Sequence, residues 1–393
     1  MSKITRFKYP TRVKYFTHSK VSEISLKNVY YEFSLSVLYL LKMKKVTITD
    51  LSEMTGISRS TISRVLNNNP KVDPEVRKKV ELAIEESGYL RKASKVKYDV
   101  PIRSVTIATT VLVDTPDPYY SIMINQFQEQ FLQMGLQPQL ILLNASMGDE
   151  QILEKLSSSE CVLMLGPELP VVANALKDRN IPVVMVNGFD VDMRISSISL
   201  DYELGGELAA KYLVNNGHKN VAMLTAQTRP SIRKRTYGFE RAAHEYGAEE
   251  VTVIDILQYC QDTDQIDICK SIKLGEAGAD FGASKVLPQI LDKGLFNGAT
   301  AVFCLCDRTA ISLLDELEKR GISVPDDMSV MGFDNLSIGK MISPALSSIG
   351  CDHRLTAQAA IQLLIQEFNE NVNVAKRVNM GVKLFPRDSV KSL

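Results

Sequence analysis

Between Val46 and Asn67 the chain reads VTITDLSEMTGISRSTISRVLN, a pattern of two short helices separated by a tight turn. Thr47 suits an N-cap, and Asp50, three residues on, is spaced to reach back and complete a capping box. The first helix is then expected over Ile48–Thr55, with Ile48, Leu51 and Met54 buried. Gly56 falls where the chain must bend, and a left-handed backbone costs least without a Cβ. Ile57 anchors the turn, Ser58 caps the second helix, and Ile62, Val65 and Leu66 form its buried side. Arg59, Ser60, Ser63 and Arg64 face outward, a short-armed basic surface suited to a helix that enters the DNA major groove.

A third helix follows in DPEVRKKVELAIEESG, residues 73–88, with Asp73 as N-cap, Pro74 at the first helical position and Gly88 past the end. Val76, Val80, Ala83 and Ile84 make its buried stripe. The ordered run T-I-x-D-L-x-x-x-x-G-I-S-x-x-T-I-S-R-V-L-N, followed by V-x-x-E-x-R-x-x-V and G-Y, resembles the DNA-binding headpiece of the LacI/GalR family of bacterial repressors. That resemblance implies an all-α helix-turn-helix domain over residues 43–90 and a hinge over 91–101. In it Arg59 and Ser60 read base edges, Arg64 is a candidate for guanine, and Ser58, Thr61 and Ser63 bond phosphates. Thr47, Asn67, Arg91 and Lys92 complete the candidate DNA-contacting residues.

The family's hinge folds on operator DNA and wedges a leucine into the minor groove. Here the text is YLRKASKVKYDVP, without the usual proline after Gly-Tyr and with Val96 or Tyr98 where leucine would stand. A wedge and a plain linker both fit, and the basic residues suit phosphate contacts in either case. Met43, in Met-Lys-Lys-Val, stands where family members begin, so residues 1–42 are expected to be a non-native N-terminal extension. Their apolar patch, Val29 to Leu41, is interrupted by Glu32, Ser34 and Ser36 and is shorter than the ~20 apolar residues of a membrane span.

At 393 residues and 45% hydrophobic content, the chain has room for two or three domains with sizeable cores. Net charge is zero, but residues 44–100 hold 12 Lys and Arg against 8 Asp and Glu, so a basic head is balanced by the remainder. The six cysteines form no Cys-x-x-Cys pair and have no histidines at metal spacing, which points to free thiols in a reducing cytoplasm and to no metal.

From Ile102 onward, strand and helix patterns alternate as in parallel sheets with crossover helices. Strands are expected in SVTIATTVL, PQLILLN, CVLMLG, IPVVMVN, NVAMLTA, TVIDIL, TAVFCLC and SVMGFD, with helices over 120–134, 202–215, 233–246 and 308–320. Asp-Pro-Tyr-Tyr at 117–120, D-x-x-x-G-G at 201–206, G-H-K at 217–219, R-x-x-G-F at 235–239 and the run from V-P-D-D to G-F-D at 324–334 extend the family resemblance to about residue 390. It implies a doubly wound α/β body of two lobes like periplasmic sugar-binding proteins, with ligand between them. The lobes are expected over 102–200 plus 335–365 and over 201–334 plus 366–390, in a homodimer.

A cleft between such lobes forms at the carboxyl ends of strands, so polar residues there are the first candidates. Asp307 follows the apolar strand AVFCLC and is expected to accept hydrogen bonds from ligand hydroxyls, although a helix N-cap is an equally physical role for it. The family's asparagine before this aspartate is Cys306 here. By resemblance, Arg235 is the ligand arginine, and Phe281 lies where the family keeps a sugar-stacking ring. Tyr119 and Tyr120 are candidate cleft walls, Asn187 completes the set, and Arg229, Arg233 and Lys234 are expected on a solvated face.

No dinucleotide loop, Walker motif or G-x-S-x-G is present in the sequence, so no catalytic residues or cofactor are expected. The resemblance implies a cytoplasmic, non-enzymatic repressor of carbohydrate-utilisation genes, bound to palindromic double-stranded operator DNA and controlled by a sugar or galactoside. A regulator responding to a nucleobase or other metabolite is the alternative. An exported sugar-binding protein would have no use for residues 46–88.

Overall fold

A computed structural model of the chain describes residues 47–66, 71–87, 102–110, 118–144, 147–166, 169–370 and 374–393. The expectations for residues 1–42, Asn67, the hinge, Arg91 and Lys92 lie outside them. The chain divides into two compact units, residues 1–94 and 95–393.

In the first unit, α1 (Ile48–Thr55), α2 (Arg59–Leu66) and α3 (Pro74–Ser87) form the three expected helices. The capping box is complete: Thr47 Oγ1 accepts from the Asp50 N–H at 3.3 Å, and Asp50 Oδ2 accepts from the Thr47 N–H at 2.7 Å. Gly56 ends α1 in the left-handed region at φ 70°. Leu51, Ile62, Val65, Val80 and Ala83 make the core. Met54 departs from expectation and is 55% exposed. Thr55 takes the inward place, its hydroxyl satisfied by the Leu51 carbonyl at 2.7 Å and by the Ile57 N–H at 3.2 Å.

The second unit holds two six-stranded sheets. The first contains β1 (Ser104–Thr109), β2 (Gln137–Leu142), β3 (Val162–Leu165), β4 (Val183–Val186), β5 (Ser196–Leu200) and β11 (Arg377–Met380), all parallel, in the order β11-β5-β4-β3-β1-β2. The second contains β6 (Asn220–Thr225), β7 (Glu250–Asp255), β8 (Ala301–Cys304), β9 (Ser329–Phe333), β10 (Ser347–Gly350) and β12 (Lys383–Phe385), in the order β12-β10-β9-β8-β6-β7. Only β12 runs antiparallel, against β10. In each sheet the order reverses beside its first strand, between β1 and β3 and between β6 and β8, which opens a crevice at the carboxyl ends. The buried runs VLML, VVMV and AVFC show why these strands form: they are apolar on both faces and covered by helices on both sides.

Helices α4 (Pro118–Met134), α5 (Asp149–Leu156) and α6 (Pro170–Asp178) belong to the first lobe. The second lobe has α7 (Tyr202–Asn215), α8 (Pro230–Glu245), α9 (Ile256–Asp262), α10 (Ile266–Leu274), α11 (Ala283–Asp292), α12 (Asp307–Lys319) and α13 (Ser337–Met341). The last helix, α14 (His353–Glu370), packs on α4, β4 and β5.

The lobes therefore divide differently from the sequence reading. Residues 347–350 pair within the second sheet, whereas the expectation placed 335–365 in the first lobe. Residues 377–380 pair with β5 of the first sheet, although 366–390 were expected in the second lobe. Backbone pairing decides this: β10 is a buried run, SSIG, between β9 and β12, so the chain crosses back only after Gly350.

Candidate functional site

At the carboxyl ends of both sheets a pocket is lined by Tyr119, Asn187, Tyr202, Arg229, Arg235, Phe281, Cys306, Arg308 and Asp334 among others. Most come from segments that follow a strand or open a helix, while Arg235 lies within α8 and Phe281 between α10 and α11. The free volume inside is about 30 Å³. That holds water but falls well short of a drug-sized pocket of about 300 Å³, so side chains or lobes must move to admit a ligand.

A hydrogen-bonded chain closes the pocket. Asn187 Nδ2 donates to the Tyr120 hydroxyl at 3.0 Å, Arg229 Nη1 donates to the same oxygen at 3.0 Å, and the Tyr202 hydroxyl donates to Asn187 Oδ1. Tyr120 belongs to α4 of the first lobe and Arg229 precedes α8 of the second, so this bond spans the crevice. The Arg229 guanidinium also lies 5.4 Å from the Phe281 ring centre and 5.7 Å from that of Tyr120. Arg229 was expected on a solvated face. Two facing aromatic rings hold it inward instead.

Arg235 is 5% exposed, with its guanidinium carbon 3.4 Å from the Phe333 ring centre and 5.1 Å from that of Tyr202. Its Nε has no hydrogen-bond partner among the described residues. Burial pulls its pKa below the usual range, with Asp334 acting against that. The two landmark glycines explain its placement. A Cβ on Gly206 would meet the Arg235 carbonyl oxygen at 2.1 Å, and one on Gly238 would meet the Glu203 carbonyl oxygen at 2.1 Å. Only bare backbones let α7 and α8 approach this closely, and that approach sets Arg235 against the Tyr202 ring.

Asp307 does not line the pocket. Its carboxylate is fully buried, where Oδ1 accepts from the Ser348 hydroxyl at 2.6 Å and Oδ2 from the Leu336 N–H at 2.6 Å. Burial pushes its pKa up to about 7. Cys306, not Asp307, occupies the N-cap position of α12, so neither role expected of this aspartate is observed. It fastens β10 and the entry to α13 instead.

Tyr119 lines the pocket, edge-on to Tyr120 with ring centres 5.4 Å apart. Burial drives the phenols of Tyr119 and Tyr202 upward in pKa, so both remain neutral. Phe281, at φ 57°, also reaches the lining. Sequence reasoning missed Tyr202, Arg308 and Asp334. Asp334 follows the apolar strand SVMGF as Asp307 follows AVFCLC, so the same rule would have found it.

In the headpiece, Arg59, Ser60 and Arg64 are exposed on one surface of α2, while Thr61 and Ser63 are half-buried. Ser58 Oγ accepts from the Thr61 N–H at 3.2 Å and shares hydrogen bonds with Ser60 and Thr61 hydroxyls, both at 2.9 Å. Arg59 and Arg64 make no ion pair among the described residues, which leaves both guanidinium groups available to a polyanion.

Residues 47–92 match the model of bacterial regulatory proteins of the lacI family. Residues 107–271 match that of periplasmic binding proteins and the sugar-binding domain of the LacI family, and 210–390 match a periplasmic binding protein-like domain. The chain belongs to the LacI family. Catabolite control protein A of Priestia megaterium is 26% identical over 354 residues, covering 88% of this chain and 99% of that one. Two solved structures share the fold: the transcriptional regulator CelR–cellobiose complex, with a TM-score of 0.60 at 21% identity, and the lac repressor dimer bound to operator and the anti-inducer ONPF, with 0.58 at 21%. Each covers 88% of this chain and is itself fully covered. This family member is thus a DNA-binding transcriptional regulator with an effector-binding body, and its relatives are repressors rather than enzymes. No helix among the described residues is long and apolar enough to cross a membrane.

Proposed function

We propose that this regulator represses carbohydrate-utilisation genes by binding a dyad-symmetric operator as a homodimer, and that a sugar-like effector in the pocket between the lobes changes its operator affinity. The observation that carries this is the Arg235 guanidinium, buried with its Nε unpartnered among the described residues. A desolvated cation costs free energy until ligand oxygens replace its lost hydration. Aromatic walls beside it suit the apolar face of a sugar ring, and the cellobiose in the CelR complex supports a sugar. Arg59 and Ser60 read base edges, Arg64 bonds guanine, and Ser58, Thr61 and Ser63 fix register on phosphates. Effector and operator are linked through a two-state body, a coupling of about 1 to 3 kcal/mol.

The test is fluorescence anisotropy with dyad-symmetric and scrambled duplexes at moderate salt, with and without candidate sugars. Preference for one dyad sequence, altered by a sugar, is expected. No preference under any condition ends the proposal. The sugar that shifts operator binding should bind Arg235→Met about 100-fold more weakly, the value of about 3 kcal/mol of charged hydrogen bonding. The same substitution should not lower the melting temperature, because it removes a buried charge while keeping its volume.

A further inference from the structure

We infer that the effector turns an edge without a hydroxyl toward Cys306 and is therefore a deoxy sugar. This rests on the pocket being the effector site and on the effector being sugar-like. The pocket lining is divided. Asn187, Tyr202 and Arg229 are joined with Tyr120 into one hydrogen-bonded set. Ile232, Phe281, Leu305 and Cys306 line the same pocket and belong to, or pack on, one hydrophobic cluster that continues into the core of the second lobe.

Of those four apolar-side residues, only Cys306 has a side chain that can hydrogen-bond, and its thiol carries a single proton. Cys306 Sγ donates to the Ala279 carbonyl at 3.6 Å. The Thr309 hydroxyl lies 3.3 Å from the same sulfur and sends its own proton to the Asp280 carbonyl at 3.2 Å. Both partners of the thiol belong to the protein, so what Cys306 offers a ligand is sulfur, a weak acceptor without a donor. A hydroxyl pressed against this side gives up its bonds to water and gains at best a bond to sulfur. A methyl or methylene in the same place loses no hydrogen bond and buries apolar surface against Ile232 and Leu305. The preference this produces is bounded, because an apolar wall rejects an added hydroxyl by no more than about 100-fold.

Calorimetric titration of the full chain with matched pairs tests this: D-galactose and D-fucose, L-galactose and L-fucose, L-mannose and L-rhamnose, D-ribose and 2-deoxy-D-ribose. At least one deoxy sugar is expected to bind tenfold or more tightly than its parent. Cys306→Ala, which also offers no donor, should keep that preference. Cys306→Asn, similar in volume but with an amide donor and acceptor, should narrow it at least tenfold. If sugars bind and no deoxy form outbinds its parent tenfold, the deoxy assignment is overturned and the sugar-effector reading stands. A preference that Cys306→Asn leaves unnarrowed also overturns it. Loss of the preference in Cys306→Ala does the same, and keeps the test decisive if the asparagine variant does not fold. If neither member of any pair binds, both readings fall together.

Discussion

The headpiece and the body build their working surfaces in opposite ways. In the headpiece, the hydrogen bonds around the turn and the second helix join residues at most five apart among the described residues, as with Ser52 and Ile57, and Arg59, Ser60 and Arg64 are left exposed. In the body, the bonds that close the pocket join Asn187 to Tyr120 across 67 residues and Arg229 to Tyr120 across 109. The head presents charges that are already hydrated, so holding them ready costs little stability. The body holds charges stripped of water, and each is tolerated because tertiary packing fixes it. Stability and recognition are therefore separable in the first unit and bound together in the second.

The largest expected effect tests that difference at Asp307. Replacing it with alanine leaves the Leu336 N–H and the Ser348 hydroxyl without their buried acceptor. The body should lose about 3 kcal/mol of stability in chemical denaturation, with the headpiece transition unchanged. A pH dependence accompanies it. Burial raises the folded-state pKa from the ordinary 3.8 to about 7, so the group's stabilising contribution is full below about pH 4 and is lost as pH rises through 7. Asp307→Asn should flatten the stability profile across that window. If Asp307→Ala instead abolishes effector response at unchanged stability, the carboxylate is a ligand after all and the contrast between the units weakens.

The same difference explains what could be read from the sequence. Capping residues, the Gly56 bend and the buried stripe of α2 follow from spacing within one or two turns, so the headpiece was legible almost residue by residue. Met54 was the exception, because periodicity alone does not tell which of two neighbours, Met54 or Thr55, points inward. The strand–helix alternation of the body was legible too. The lobe crossings were not, since β5 and β10, with sequences SSISL and SSIG, carry polar residues that mask buried strands. Arg229 reads as a surface cation until Tyr120 and Phe281 are brought beside it. Asp307 and Asp334 both follow apolar strands, and only the long-range bonds of Asp307 to Leu336 and Ser348 show which carboxylate is walled off and which faces the pocket.

A smaller effect is expected at the head. Arg59→Ala should cost about 2 kcal/mol of discrimination at one operator position, read by anisotropy against duplexes substituted base by base. Equal weakening on every duplex, with a reduced salt slope, would make Arg59 a phosphate contact. Because its guanidinium is exposed and makes no ion pair among the described residues, the thermal stability of the headpiece should move little.

The smallest effect separates two roles for Thr47. Its hydroxyl accepts from the Asp50 N–H, its N–H is held by the Asp50 carboxylate, and its hydroxyl also donates to that carboxylate at 2.7 Å. With the hydroxyl's one proton and its backbone N–H both committed to the Asp50 carboxylate, neither donor is left for a phosphate. Thr47→Ala should therefore lower headpiece stability by about 1 kcal/mol, the usual value of an N-cap, and weaken operator binding only as far as the folded fraction falls. Raising the stability of the variant with an osmolyte should then restore operator affinity. An affinity loss that persists in fully folded protein and diminishes with salt would instead make Thr47 a DNA contact, and the cap would be a feature of the free headpiece that is exchanged on binding.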